Sequence, residues 1–298
     1  MKILHTADWH LGQTFYEYDR REEHFHFLEW LKQQIKQHEI DVLLIAGDVF
    51  DSPNPSAESQ RVYYRFLREV TSENPSLQIV IIAGNHDSAA RLEAPNPLLE
   101  DMNIIVRGTV RRNAEGDIDL QHFIVPLYTE GKVTAYCLAV PYLRQGDYPS
   151  AENYSKGVQQ LYEQLFNKVK EKGIPVVVMG HLQATGSEIS EDDRSERTVI
   201  GGLECVSPDA FNEAITYTAL GHLHRSQRVS HRENVRYSGT PMPMSFAEKN
   251  NASGVVMITI DTEGTNIEKL EFQPLAGLVS IPPEARPLEE VLQVIGEI

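Results

Sequence analysis

The sequence predicts a layered α/β protein, on three observations. Five apolar runs, each the length of a buried strand, lead into short polar clusters in ascending order along the chain. In the first half these runs alternate with segments whose apolar residues recur at helical spacing, as layered α/β folds require. The composition, 41% hydrophobic and 23% charged over 298 residues, is that of a soluble globular chain with room for one large domain and a small appendage.

In order, the first run is Ile3-Leu4, ahead of Asp8-Trp9-His10. A helix is expected from about Glu22 to His38, with Phe25, Leu28, Leu31 and Ile35 as its apolar stripe. Val42 to Ala46 is the second run, ahead of Gly47-Asp48-Val49-Phe50-Asp51. Ser52-Pro53-Asn54-Pro55 cannot be helical, and Ser56 can cap a helix through about Val70 with Tyr63, Phe66, Leu67 and Val70 facing inward. Ile79 to Ala83 precedes Gly84-Asn85-His86-Asp87, and a helix from Arg91 to Met102 is expected to break near Pro95 and Pro97. Arg112 to Asp117 is a hairpin candidate, and Tyr136 to Pro141 a buried strand. Ala151 to Lys172 has Val158, Leu161, Leu165 and Val169 on one face and Gly173 as its stop. Val176 to Met179 precedes Gly180-His181. Ser187 to Glu196 is an acidic loop, and Tyr217 to Leu220 precedes Gly221-His222-Leu223-His224. Val235 to Tyr237 and Val255 to Ile260 are further strands. After Asp261 the character changes: Ile281-Pro282-Pro283 reads as a linker, and Leu288 to Ile295 as a helix facing nothing in the remaining chain.

The bulk numbers exclude several classes. No apolar stretch spans a bilayer, the N-terminus reads as a strand and not a signal sequence, and only Cys137 and Cys205 are present, so a cytoplasmic, reducing location is expected. The net charge of −16 argues against a general nucleic-acid-binding surface, which is usually basic.

The five clusters carry the chemistry. They gather Asp8, Asp48, Asn85 and several histidines at the carboxyl ends of strands, the edge where open α/β sheets bind ligands. Hard oxygen donors mixed with imidazoles suit a pair of divalent transition metals, and such a pair can clamp a phosphate and supply a hydroxide. Asp8 and His10, two apart, can project from one face, and Gly47 lets the backbone turn before Asp48.

The set is the signature of calcineurin-like metallophosphoesterases. Met1 to Gly12, Ala46 to Asp51, Ala83 to Ser88, Ala219 to Arg225 and Tyr237 to Phe246 narrow the resemblance to the SbcD/meiotic-recombination-eleven family of DNA nucleases, from Met1 to about Ile260. The resemblance implies a β-sandwich core flanked by helices. Residues 1–262 would form the nuclease domain and 263–298 a linker and the start of a small C-terminal cap, the chain being a piece of a longer protein. It implies two divalent ions, with manganese activating: Asp8, His10, Asp48 and His224 on one, Asp48, Asn85, His181 and His222 on the other. His86 would protonate the departing sugar oxygen, with Asp87 holding its ring. Asp51 stands where several relatives carry His. The implied activity is 3′–5′ exonuclease action on duplex ends and endonuclease action on single strands or hairpins. The implied assembly is a heterotetramer of two nuclease subunits and two SbcC-type SMC-family ATPases, with no membrane. Helix faces near Tyr63 to Phe66 and Leu92 to Met102 are candidates for a homodimer contact. Given the acidity, the partner is expected to supply much of the grip on DNA.

Of the other histidines, His5 reads as a hydrogen-bonded core residue, and His24, His26, His38, His122 and His231 as exposed. Trp9 is expected to pack beneath the ligands rather than stack on DNA, and Arg225 to contact phosphate or a surface carboxylate. The competing enzyme is a small-substrate phosphodiesterase or phosphatase of the same superfamily, favoured by the acidic surface and opposed by the opening segment and Ser238-Gly239-Thr240-Pro241. A non-catalytic scaffold is the remaining alternative, and the complete set of expected ligands opposes it.

Overall fold

A computed structural model describes residues 1–187, 205–282 and 285–296. The strands are β1 (Lys2–Thr6), β2 (Thr14–Phe15), β3 (Tyr18–Asp19), β4 (Val42–Ala46), β5 (Gln78–Ile82), β6 (Ile104–Arg107), β7 (Ile124–Thr129), β8 (Lys132–Ala139), β9 (Val176–His181), β10 (Tyr217–Gly221), β11 (Gln227–Val229), β12 (Arg232–Tyr237), β13 (Gly254–Asp261) and β14 (Gly264–Glu271). The helices are α1 (Arg21–His38), α2 (Ala57–Glu73), α3 (Ala89–Glu93), α4 (Asn96–Leu99), α5 (Leu120–Phe123), α6 (Tyr154–Val169) and α7 (Leu288–Gly296).

Two six-stranded sheets form the centre, in the orders β14-β13-β1-β4-β5-β6 and β11-β12-β10-β9-β8-β7. The inner strands β1, β4, β5 and β6 of the first run parallel, as do β8, β9, β10 and β12 of the second. Side-chain alternation assigns the layers. In β4, Val42, Leu44 and Ala46 meet Val177, Met179 and Ala219 of the other sheet, while Leu43 and Ile45 turn to Phe27 and Leu31 of α1 and Val62 and Phe66 of α2. On the far side, Val178 and Leu220 pack on Val158, Leu161 and Leu165 of α6. The result is helices, sheet, sheet, helix. The inner strands are buried on both faces, which is why they read as continuous apolar runs. Each fully buried Leu, Ile or Phe in these layers contributes about 1.5–3 kcal/mol.

Caps fix the helix starts. Ser56 Oγ accepts the Ser59 N–H at 3.0 Å, as expected. Asn153 caps α6 through the Lys156 N–H at 2.9 Å, so that helix begins at Tyr154 rather than Ala151. The segment after Arg91 breaks at its prolines into α3, α4 and a single 3-10 turn.

Several expectations are corrected. The boundary at 262 falls inside a hairpin: β14 pairs with β13 from Asp261↔Gly264 to Gly254↔Glu271, and Phe272 is buried against Trp30 and Phe27. The sandwich therefore continues to Phe272. His24 and His122 are buried, not exposed, and burial lowers both to about 4. His24 Nε2 bonds the Trp9 carbonyl at 3.1 Å. Phe25 of α1 is only half-buried, and Phe27 takes its place in the core. Tyr63, Phe66, Leu92 and Leu99 are core residues of this chain, so a dimer contact there would use their neighbours on the outer faces, such as half-buried Tyr64 and Met102. Of that region, Leu98 points outward at 75% exposure. The acidic loop expected from Ser187 lies, from residue 188 on, outside the described residues. No residue of α7 is buried, and no described helix is long and apolar enough to cross a membrane.

Candidate metal centre

The loops after β1, β4, β5, β9 and β10 converge at the carboxyl edges of both sheets. The first two loops are laced together beyond their strands: Asp8 N–H donates to the Gly47 carbonyl, His10 N–H to Asp48 and Leu11 N–H to Val49, at 2.9–3.0 Å. Close approach depends on glycine. A Cβ on Gly84 would lie 2.1 Å from Asp48 Oδ1, and one on Gly47, at φ 92°, 2.2 Å from His181 Nδ1.

Asp48 is the hub. Its Oδ1 accepts the His86 N–H at 2.8 Å, and its Oδ2 lies 3.3 Å from His181 Nε2 and 3.8 Å from His10 Nε2. Asn85 Oδ1 lies 3.0 Å from His181 Nε2 and 3.1 Å from His222 Nδ1. The Asp8 carboxylate accepts the His222 N–H. His181 Nδ1–H donates to the Ala46 carbonyl at 2.9 Å, which fixes its tautomer and directs Nε2 at Asp48 and Asn85. Asp8, His10, Asp48 and His222 all have positive φ, between 46° and 101°. Such backbone costs roughly 1–3 kcal/mol per residue and clusters at functional sites.

The electrostatics follow from burial. Asp8 and Asp48 are essentially inaccessible. Burial pushes Asp8 above its ordinary range despite His181 and His224. Burial opposes the Asp48 charge too, but His181, hydrogen-bonded to it, and His10 outweigh it and hold Asp48 well below the usual carboxylate range. Against its own burial, Asp48 and Asp8 lift His181 to about 9. Desolvation and the charge of His181 press His222 down to about 3.

The donors fit divalent metal. His10 Nε2 is buried without a hydrogen-bond partner. Asp8, His10 and His224 offer ligand atoms within 4.8 Å of one another, as do Asp8, Asp48 and His181, and His10, Asp48 and His86. Two buried carboxylates among imidazoles are costly without a compensating cation. All seven expected ligands reach this edge, and His86 stands within ligand reach as well.

Asp87 is placed differently from the expectation. Its carboxylate does not touch the His86 ring. It accepts the N–H groups of Gly84 (2.9 Å), Phe50 (3.0 Å) and Val49 (3.2 Å), tying the loop after β5 to the loop after β4. Burial and Asp48 lift it to about 6 against those three donors. The His86 ring is held instead by the Asp51 carbonyl, which accepts its Nδ1–H at 2.9 Å, and the Asp51 carboxylate lies 3.4 Å from His10 Nδ1.

Three supporting positions were not assigned a place at the site from the sequence, although Thr240 lies in a segment that carried the family resemblance. Glu248, buried, accepts at 2.9 Å from His224 Nδ1 and at 2.7 Å from the Met244 N–H. Thr240 Oγ1 donates to the Asp8 carbonyl at 2.9 Å and Thr240 N–H to the His224 carbonyl, which gives the Ser-Gly-Thr-Pro segment its place beneath the ligands. Buried Arg20 joins Gln13, Glu23 and the Pro243 carbonyl. Trp9 is wholly buried, with Nε1–H on Thr6 Oγ1 and edge contacts to Phe27 and Phe66, so it cannot stack on DNA. Arg225 is exposed.

A double-sheet sandwich with Asp, Asn and His gathered at the strand ends defines a phosphoesterase-type metal centre, and the family model described as calcineurin-like phosphoesterase matches residues 1–226. The relatives narrow this. A Rhodobacter capsulatus protein named as the SbcD component of nuclease SbcCD is 37% identical over 311 aligned residues, covering 100% of this chain and 76% of its own. Proteins of the same name from Escherichia coli K12 and Bacillus subtilis are 32% and 30% identical, covering 93% and 87% of this chain and 70% and 66% of theirs. The chain belongs to the calcineurin-like phosphoesterase family, in its SbcD branch. Among solved structures, GAP50, the anchor in the inner membrane complex of Plasmodium, matches with a TM-score of 0.51 at 10% identity, over 99% of this chain and 94% of that one, a likeness of fold alone.

Proposed function

We propose that this chain is the metal-dependent DNA nuclease subunit of an SbcCD-type complex. The observation that carries the reading is the position of Asp48, within reach of His10 on one side and His181 on the other. One ion would be held by Asp8, His10, Asp48 and His224, the other by Asp48, Asn85, His181 and His222, with manganese as the activating metal. Bound there, the ions supply Lewis-acid polarisation of the phosphate and a nucleophile at neutral pH.

The chain's own residues do the rest. His181 is oriented by Ala46, and His224 by Glu248. His86 is the candidate acid: its Nδ1 proton is engaged by the Asp51 carbonyl, so Nε2 is the atom that would protonate the departing 3′ oxygen. Asp87 holds the loop that carries His86 rather than the ring itself.

The substrates follow from the family: duplex ends from the 3′ side, and single strands or hairpins internally. An SbcC-type ATPase would supply the DNA grip that a chain of net charge −16 lacks, in a complex of two copies of each. Residues beyond Phe272 would begin the cap.

The test is cleavage of linear duplex and circular single-stranded DNA with manganese, with His86→Ala as control. Cleavage should need manganese, and the variant should lose about 10²–10⁴-fold in rate while keeping its metals. Turnover of a small phosphodiester with neither DNA cut would leave a missing partner or the small-substrate enzyme as the two explanations, and no DNA cleavage after addition of an SbcC-type ATPase would overturn the nuclease reading. Loss of metal from His86→Ala would make His86 a ligand.

A further inference from the structure

The β2–β3 hairpin turns through Tyr16 and Glu17, with Phe15 paired to Tyr18. Both turn residues are left-handed, at φ 48° and 69°. Two-residue hairpins with this backbone normally carry Asn-Gly, and large side chains there are strained. The strain presents aromatic surface to solvent. Tyr16 is 79% exposed and Phe246 45% exposed. The rings of Phe15, Tyr16 and Phe246 form a closed triangle with centroid distances of 5.0, 5.4 and 5.7 Å. Buried Arg20 backs the cluster, 5.4 Å from the Phe15 ring and bonded to the Pro243 carbonyl.

The cluster adjoins the metal centre. Phe246 opens the single 3-10 turn that ends at Glu248, the partner of His224. On the other side, a cleft of about 530 Å³ is lined by Thr14 and Asp19 of the hairpin and reaches Asp51, which lies beside His10. The hairpin offers little to a phosphate. Glu17 and Asp19 are acidic, and Arg21 is paired with Asp19. An aromatic face binds bases whatever their sequence and does not need positive charge.

Resting on the nuclease reading, we propose that Phe15, Tyr16 and Phe246 form a stacking platform for an unpaired nucleobase of the DNA strand that enters the metal centre. The platform gives an acidic chain a grip on single-stranded DNA that does not depend on counterion release.

The experiment measures binding of a fluorescein-labelled oligothymidylate with manganese in a His86→Ala background. Tyr16→Asn keeps a residue suited to the left-handed turn and removes the ring. It should weaken binding roughly tenfold, the cost of one lost base stack, with the slope of log affinity against log salt unchanged. Tyr16→Trp should bind at least as tightly as the parent, and Tyr128→Asn, exposed on β7, should bind like it. The platform is overturned if Tyr16→Asn and Phe246→Asn bind like the parent, if the loss comes with a shallower salt slope, or if Tyr16→Asn only turns a dimer into a monomer in light scattering. Wild-type protein that binds through Tyr16 but cuts no DNA, even with an SbcC-type ATPase added, would sink the nuclease reading alone. Cutting with Tyr16-independent binding would sink the platform alone.

Discussion

The two sheets contribute different atoms to one site. The first, from β1, β4 and β5, brings the oxygen donors Asp8, Asp48 and Asn85 together with His10 and His86. The second, from β9 and β10, brings imidazoles alone: His181, His222 and His224. Each set without the other would be a poor arrangement. Buried carboxylates would repel one another, and buried imidazoles would be driven neutral. Across the gap the two correct each other, and the Asp48–His181 contact at 3.3 Å is the clearest case. Chemistry and sheet packing are therefore one problem, because any shift between the layers separates oxygen donors from nitrogen donors.

Asp48→Asn is the most severe way to break this comparison. It removes the charge of the carboxylate that lies between His10 and His181 and would be shared by both ions. DNA and small-diester hydrolysis should fall to background, and elemental analysis should find neither ion at full occupancy. If both ions stayed bound, Asp48 would not be the shared ligand.

Asp87→Leu tests how the first sheet's loops are held. It strips the partner from three buried N–H groups, each costing about 1–3 kcal/mol when orphaned. A loss of roughly 3 kcal/mol or more is expected in denaturant unfolding, and Asp87→Asn should lose less. Full stability and metal content with only activity lost would restore Asp87 to the role of holding the His86 ring.

Glu248→Gln tests the second sheet's side. Ligating histidines owe orientation and basicity to such partners, and their removal typically costs 10–100-fold in metal affinity. Manganese titration by calorimetry should show a loss of about that size at one site only. Unchanged affinity would mean that Glu248 does not tune His224.

These residues also mark where the sequence was legible. Ligands that sit at the end of an apolar run are readable because burial and position are written in the same few residues. The Ser56 cap and the spacing of Leu28, Leu31 and Ile35 are readable for the same reason. Glu248 is not, because it meets His224 across an irregular loop with no period to betray it. Asp87 was misplaced because adjacency to His86 in sequence is not contact: the turn sends its carboxylate back into the loop. β14 was missed because its exposed, polar face gives no apolar run.

The smallest effect lies between the layers. His5 of β1 reaches across the apolar interlayer to Tyr217 of β10, Nδ1 to the hydroxyl at 2.9 Å. Burial lowers His5 from 6.5 to about 3. The unfolded chain therefore takes up a proton that the folded one refuses. This contribution to stability is whole above pH 6.5 and is lost as pH falls toward 3, at up to about 1.4 kcal/mol per pH unit. In metal-free protein His181, lifted to about 9, works in the opposite sense: its stabilisation is whole below pH 6.5 and fades as pH rises through 9. Comparison with His5→Phe isolates the first from the second. Unfolding midpoints measured at neutral and mildly acidic pH should drop less in the variant than in the wild type. Equal drops would mean that His5 is protonated in the folded state and that the interlayer accommodates its charge.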